Sequence, residues 1–132
     1  MASATGTYKV FTAEYLGSPN HVGIYVNTDG LKGGQIYHVV GTVLNGMTYE
    51  TKHSKDPEES ATFVPDSMVY VGQISHSDLD RLDQACRAIE PPGKQLRLNG
   101  SRIDPSKALR RCGEWVEEVK EKILKEALVV PE

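Results

Sequence analysis

Cys112, His21 and His38 are the residues of this chain whose types and placement suit chemistry. Cys112 lies in Leu109-Arg110-Arg111-Cys112-Gly113-Glu114-Trp115-Val116, near the head of a helical pattern. A thiol attacks as its thiolate, which a helix N-terminus, a nearby imidazolium and local cations such as Arg110 and Arg111 all favour. His21 suits the base, because an imidazole of reference pKa about 6.5 accepts and returns protons at neutral pH. His38 suits the third group that orients such an imidazole. Gly23 shares a strand face with His21, and its missing side chain leaves room there for a cysteine or a substrate. The bland alternatives are a core thiol, a surface strand histidine and a satisfied edge histidine.

The other candidates carry less. Cys86 falls on the apolar stripe Leu79, Leu82, Cys86 and Ile89 and reads as a buried small hydrophobe. Both cysteines sit in helical patterns without a secretory signal, so they are expected as free thiols. No Cys-x-x-Cys or His-x-x-x-His spacing exists among Cys86, Cys112, His21, His38, His53 and His76, so neither a metal nor another cofactor is expected. His53 and His76 adjoin polar loops and play no part in this reading.

The elements that must position these residues follow from pattern. Tyr8 to Leu16 reads as a strand, and Gly17-Ser18-Pro19-Asn20 as a turn. In the strand His21 to Val26, Val22, Ile24 and Val26 share one face while His21, Gly23 and Tyr25 share the other. Glycines in 27–34 predict a hairpin loop, Gln35 to Leu44 a third strand, and Asn45-Gly46 a hairpin into a fourth from Met47 to about His53. Met68 to Ser75 is a fifth strand. Ser77 with Asp80 resembles a capping box for a helix that Pro91-Pro92-Gly93 ends. The last helix is predicted to start between Ser106 and Arg111, with Leu109, Cys112, Val116, Val119, Ile123 and Ala127 on its apolar stripe. Segments 54–67 and 91–105 read as exposed loops, and Val129-Val130 as a loose or docked tail.

The chain's 132 residues suit one domain over 1–132, with a core at about 8–128. The predicted class is α+β, an antiparallel sheet of about five strands packed against two or three helices. With 25% charged residues and a net charge of -3, no basic surface is available to a phosphate backbone, so nucleic acid is not an expected partner. Met1 to Tyr8 has no apolar signal region and no run is long enough for a membrane span, so a soluble, cytoplasmic protein is expected.

His-x-Gly-Ile-Tyr-Val on one strand, Ile-Tyr-His-Val on the next and Cys-x-x-Trp-Val opening a late helix resemble the circularly permuted NlpC-type, papain-like group. That group includes the lecithin:retinol acyltransferase-like proteins, and the whole chain looks like its uncharacterised, single-domain fungal members. The resemblance implies His21 as base, His38 as its orienter and Cys112 as nucleophile, with Trp115 and Val116 anchoring the helix. It implies a hydrolase or acyltransferase acting on an amide, ester or thioester of a small-molecule or peptide acyl substrate. The chain departs from the acyltransferase pattern in having Arg111 before the cysteine and Gly113-Glu114-Trp115 after it. The Cys112 backbone N–H would supply one oxyanion donor, and Tyr25 or Tyr15 the second. Two readings compete with this one: an inert papain-like binding domain, and an isomerase or cyclase that uses the histidines alone for proton transfer.

Overall fold

The computed structural model describes residues 6–17 and 20–131. Strands β1 (Thr7–Tyr15), β2 (His21–Val26), β3 (Gly34–Thr42), β4 (Gly46–Ser54) and β5 (Val69–Ser75) precede helices α1 (Leu79–Ala88) and α2 (Cys112–Lys125), and β6 (Val129–Val130) closes the order. All six strands form one antiparallel sheet in the order β4-β3-β2-β1-β5-β6. The architecture is α+β, with both helices packed against the sheet. The sixth strand comes from the tail, which docks on β5 through Gln73↔Val130 and Ile74↔Val129. Ser18 and Pro19 of the first turn lie outside the described residues.

Side-chain alternation sorts the strands into two faces. Ile24 and Val26 of β2 and Tyr37 and Val39 of β3 pack with Leu82, Trp115, Val116 and Val119 of the helices in the main core. Phe11, Ala13 and Tyr15 of β1 stand opposite Tyr25, Gly23 and His21 of β2 and share the other face with them. That face is not open either: Tyr25 is only 1% exposed. Segment 54–67 is tied to the end of β1 by Leu16 N–H to the Thr62 carbonyl (2.7 Å) and Val64 N–H to the Glu14 carbonyl (2.9 Å), and Pro57 is buried.

The β3–β4 hairpin is one residue wider than a two-residue Asn45-Gly46 turn. Thr42 pairs with Gly46, the loop is 43–45, and Gly46 takes φ 89°, the three-residue loop closed by a left-handed glycine. Gly33, at φ 106°, brings the β2–β3 loop so near β4 that a Cβ would lie 2.1 Å from the Ser54 carbonyl oxygen. The first helix begins after a tight turn at 76–78; Ser75 caps that turn, its Oγ accepting the Ser77 N–H, while Asp78 at the head of α1 makes no side-chain cap, so the predicted Ser77–Asp80 capping box does not form.

α2 begins at Cys112, just after the predicted window, because the Arg111 N–H is taken by the Glu114 carboxylate at 2.6 Å. Before it, segment 91–105 is pinned to the hairpin: Met47 N–H donates to the Pro92 carbonyl and Gln95 N–H to the Val43 carbonyl. The Gln95 side-chain amide holds Arg110 from both ends, donating to its carbonyl (2.6 Å) and accepting its N–H (2.7 Å). Trp115 is fully buried and donates its indole N–H to the Ile89 carbonyl at 2.9 Å, linking the helices. Ala127 falls past the helix, exposed and at φ 55°, where the chain turns toward β6. Both cysteines are free thiols. Among the described residues, no helix is long and apolar enough to cross a membrane.

Candidate functional site

The hairpin register sets His38 directly opposite Glu50 across β3 and β4. The His38 Nε2 lies 2.8 Å from a Glu50 carboxylate oxygen, and the His38 Nδ1 lies 2.7 Å from the Nε2 of His21. The two rings meet edge-on at 4.8 Å between centroids. Lys52 stands 3.4 Å from the same Glu50 oxygen. The series Glu50–His38–His21 therefore runs across three adjacent strands, and Glu50 is the member that sequence reading leaves out.

The acceptors decide the protons. A carboxylate accepts only, so His38 donates from Nε2 and, when neutral, offers a lone pair at Nδ1. His21 then donates from Nε2, which leaves its own Nδ1 as a bare lone pair. The bond from His38, aided by Lys52, holds the Glu50 carboxyl below its usual range. Burial, with His38 and Lys52 adding, pushes His21 down to about 4 against a smaller upward pull from Glu50. At neutral pH His21 is thus an uncharged imidazole, a base ready to accept, rather than the imidazolium envisaged for a standing ion pair with a thiolate.

Cys112 and His21 line one cavity of about 320 Å³. The β2–β3 ladder holds only from Ile24 to Val26 against Gln35 to Tyr37. The cavity lies beyond it, among the start of β2, the far end of β3 and the head of α2. Val39, Val43 and Met47 give it an apolar wall, and among the described residues Arg111 is its one charged residue at neutral pH. The Cys112 thiol, 6% exposed, donates to the Asn20 carbonyl at 3.8 Å. No hydrogen bond joins it to His21, so the structure brings the two into one cavity without direct contact.

Three sequence expectations need correction here. The space above Gly23 is filled, since a Cβ there would lie 3.1 Å from the Ile36 Cδ1 and 3.4 Å from the His38 Cβ. Tyr25 and Tyr15 do not line the cavity. Both hydroxyls are buried without a partner among the described residues, and the Tyr15 ring lies tilted against His21 at 6.2 Å. Strand alternation turns these side chains to the face opposite the helices, a face His21 shares; His21 borders the cavity because it starts β2, beyond the last rung of the β2–β3 ladder. The donors that a helix head does offer are the N–H groups of its first turn, those of Cys112 and Gly113, which have no intrahelical acceptor.

Cys86 is fully buried, and burial pushes its thiol up to about 12. It belongs to a packing cluster in which the Tyr49 hydroxyl donates to Asp83 at 2.7 Å and Arg87 lies over the Tyr49 ring. Among the described residues, no group of three or more His, Cys, Asp or Glu side chains is placed to hold a metal ion.

The model of a family of unknown function, DUF6540, matches residues 10–130, and the chain belongs to that family. No curated protein and no solved structure matches it.

Proposed function

We propose that this member of DUF6540 is a small cysteine-dependent hydrolase or acyltransferase with a permuted NlpC-type, papain-like arrangement, acting on an amide, ester or thioester. The observation that carries the reading is the Glu50–His38–His21 series, which ends at His21, a residue that lines the same cavity as Cys112. A histidine fixed through one nitrogen by a second group, itself fixed by a carboxylate, is the arrangement that nucleophilic catalysis requires of its base.

In this reading the Cys112 side chain turns from the Asn20 carbonyl toward His21. The thiol proton passes to the His21 Nδ1 as sulfur bonds to the acyl carbon. Backbone N–H groups at the head of α2 hold the oxyanion. The carbon–heteroatom bond then breaks, His21 returns its proton to the departing nitrogen, oxygen or sulfur, and a thioester remains on Cys112. Water or an acceptor, deprotonated by His21, attacks that thioester, and the thiol leaves with the proton. His38 and Glu50 touch no reacting atom and act by positioning His21.

The test is reaction with 4-nitrophenyl acetate. A burst of nitrophenolate with an acetyl group on the Cys112 peptide by mass spectrometry is expected, lost in Cys112→Ala and slowed in His21→Ala. A second reading, proton transfer by the histidines alone, draws on the thiol's bond to Asn20 rather than His21. Absence of any Cys112 adduct overturns the covalent mechanism and leaves that reading, or a binding domain, in its place.

A further inference from the structure

Two arginines precede the nucleophile, and the fold treats them oppositely. Arg110 is committed: its guanidinium bonds both Glu118 carboxylate oxygens, at 2.8 and 2.7 Å, and the Glu90 carbonyl at 2.7 Å. Arg111 has its backbone N–H held by Glu114, yet its guanidinium makes no hydrogen bond or ion pair among the described residues, and it lines the Cys112 cavity. Among the described residues no aspartate or glutamate lines that cavity, although the chain as a whole carries a net charge of -3.

We propose that Arg111 is a specificity-determining residue that receives the carboxylate of the substrate, and that the site takes a small N-acyl amino acid, free or as the C-terminal unit of a peptide, with an apolar side chain. This rests on the reading of Cys112 as nucleophile. A guanidinium presents paired donors matched to a carboxylate, which a lysine cannot reproduce. Arg111 and Cys112 line the same small cavity, so a carboxylate on the guanidinium keeps the acyl carbon of a compact substrate within it. Val39, Val43 and Met47 provide the apolar wall for the side chain. A volume of about 320 Å³ is at the small end for ligand clefts, suiting one residue with its acyl group rather than a long chain.

The experiment is an NMR titration of the Cys112→Ala protein, which binds without turnover, using N-acetyl-leucine and its uncharged analogue N-acetyl-leucinamide. The carboxylate is expected to bind about tenfold tighter or better, the scale of a charge-assisted hydrogen bond. Adding Arg111→Met is expected to bring the ratio to near one, and Arg111→Lys to restore part of it. A ratio near one with Arg111 present, a ratio unmoved by Arg111→Met, or no binding of either compound overturns the proposal. N-acetyl-Gly-Gly-Leu separates the two sources: equal binding supports a peptide C-terminus, weaker binding the free N-acyl amino acid. The ester assay on the wild-type protein reports independently on the nucleophile, so carboxylate selectivity without a Cys112 adduct would sink the covalent reading and leave Arg111 recognition standing.

Discussion

The His21 Nε2 and the His38 Nδ1 lie 2.7 Å apart, and that bond fixes which nitrogen of His21 is free to act. Because Glu50 takes the other nitrogen of His38 at 2.8 Å, the proton on each ring is dictated from the outer end of the series inward. Removing an outer member should therefore disturb the orientation of His21 more than the binding of any substrate.

His38→Ala is expected to lower kcat by roughly 10–100-fold with KM little changed, short of the roughly 10²–10⁴-fold loss expected for His21→Ala. Glu50→Gln keeps an acceptor for His38 and should cost less than Glu50→Ala. Steady-state kinetics, with histidine ¹⁵N shifts to read the tautomers, check both; a His38→Ala enzyme that retains full kcat would remove His38 from the site.

The depressed pKa of His21 sets the pH response. Above about 4 the ring is neutral, and on the proposed mechanism it serves as base, so kcat/KM should fall only as pH drops through about 4, and not near the ordinary histidine value of 6.5. Stability has the matching sign. Between 6.5 and about 4 the unfolded chain binds a proton at His21 that the folded chain refuses, so stability falls as pH falls across that window. His21→Gln should flatten the fall, as urea midpoints at a series of pH values would reveal.

The two thiols should separate under iodoacetamide. Cys86, fully buried and pushed up to about 12, is expected to react only on unfolding. Cys112 opens on the cavity and should react in the native protein, more slowly once His21 is replaced by Ala. Peptide mass spectrometry resolves the two, and equal protection of both thiols would make Cys112 an inert core residue.

Trp115→Ala is expected to destabilise by about 3–5 kcal/mol, since it opens a cavity and leaves the Ile89 carbonyl without its donor. Gly23→Ala tests the space beside the relay instead. The added methyl must displace Ile36 or His38, so activity should fall by a larger factor than stability can explain. Denaturant melts alongside kinetics separate the effects.

Much of the framework was legible because local pattern determines it. β2 runs from His21 to Val26, as its alternation predicts, and the α2 stripe from Cys112 to Ile123 is buried. Glu50 was not legible, because its place depends on hairpin register. A two-residue turn at Asn45-Gly46 would set Leu44 against Met47 and His38 against His53, whereas the wider loop sets His38 against Glu50. Arg111 was hidden for a related reason. Only the Arg110–Glu118 pairing, together with the shape of the cavity, distinguishes it from its neighbour.

Chain order gives the sheet a history as well as a shape. The three relay residues all precede Thr51, while the sulfur is at Cys112 and the helix that carries it is followed by β6 at Val129–Val130. A ribosome adding about 5–20 residues each second makes the histidine-bearing strands several seconds before it makes the thiol. During that interval Ile24, Val26, Tyr37 and Val39 lack the cover of α2, so the nascent sheet presents a largely uncovered apolar face that invites association with other chains. Cys112 arrives on the same helix whose Trp115 and Val116 cover that face, so completing the cavity and ending the exposure are one folding event.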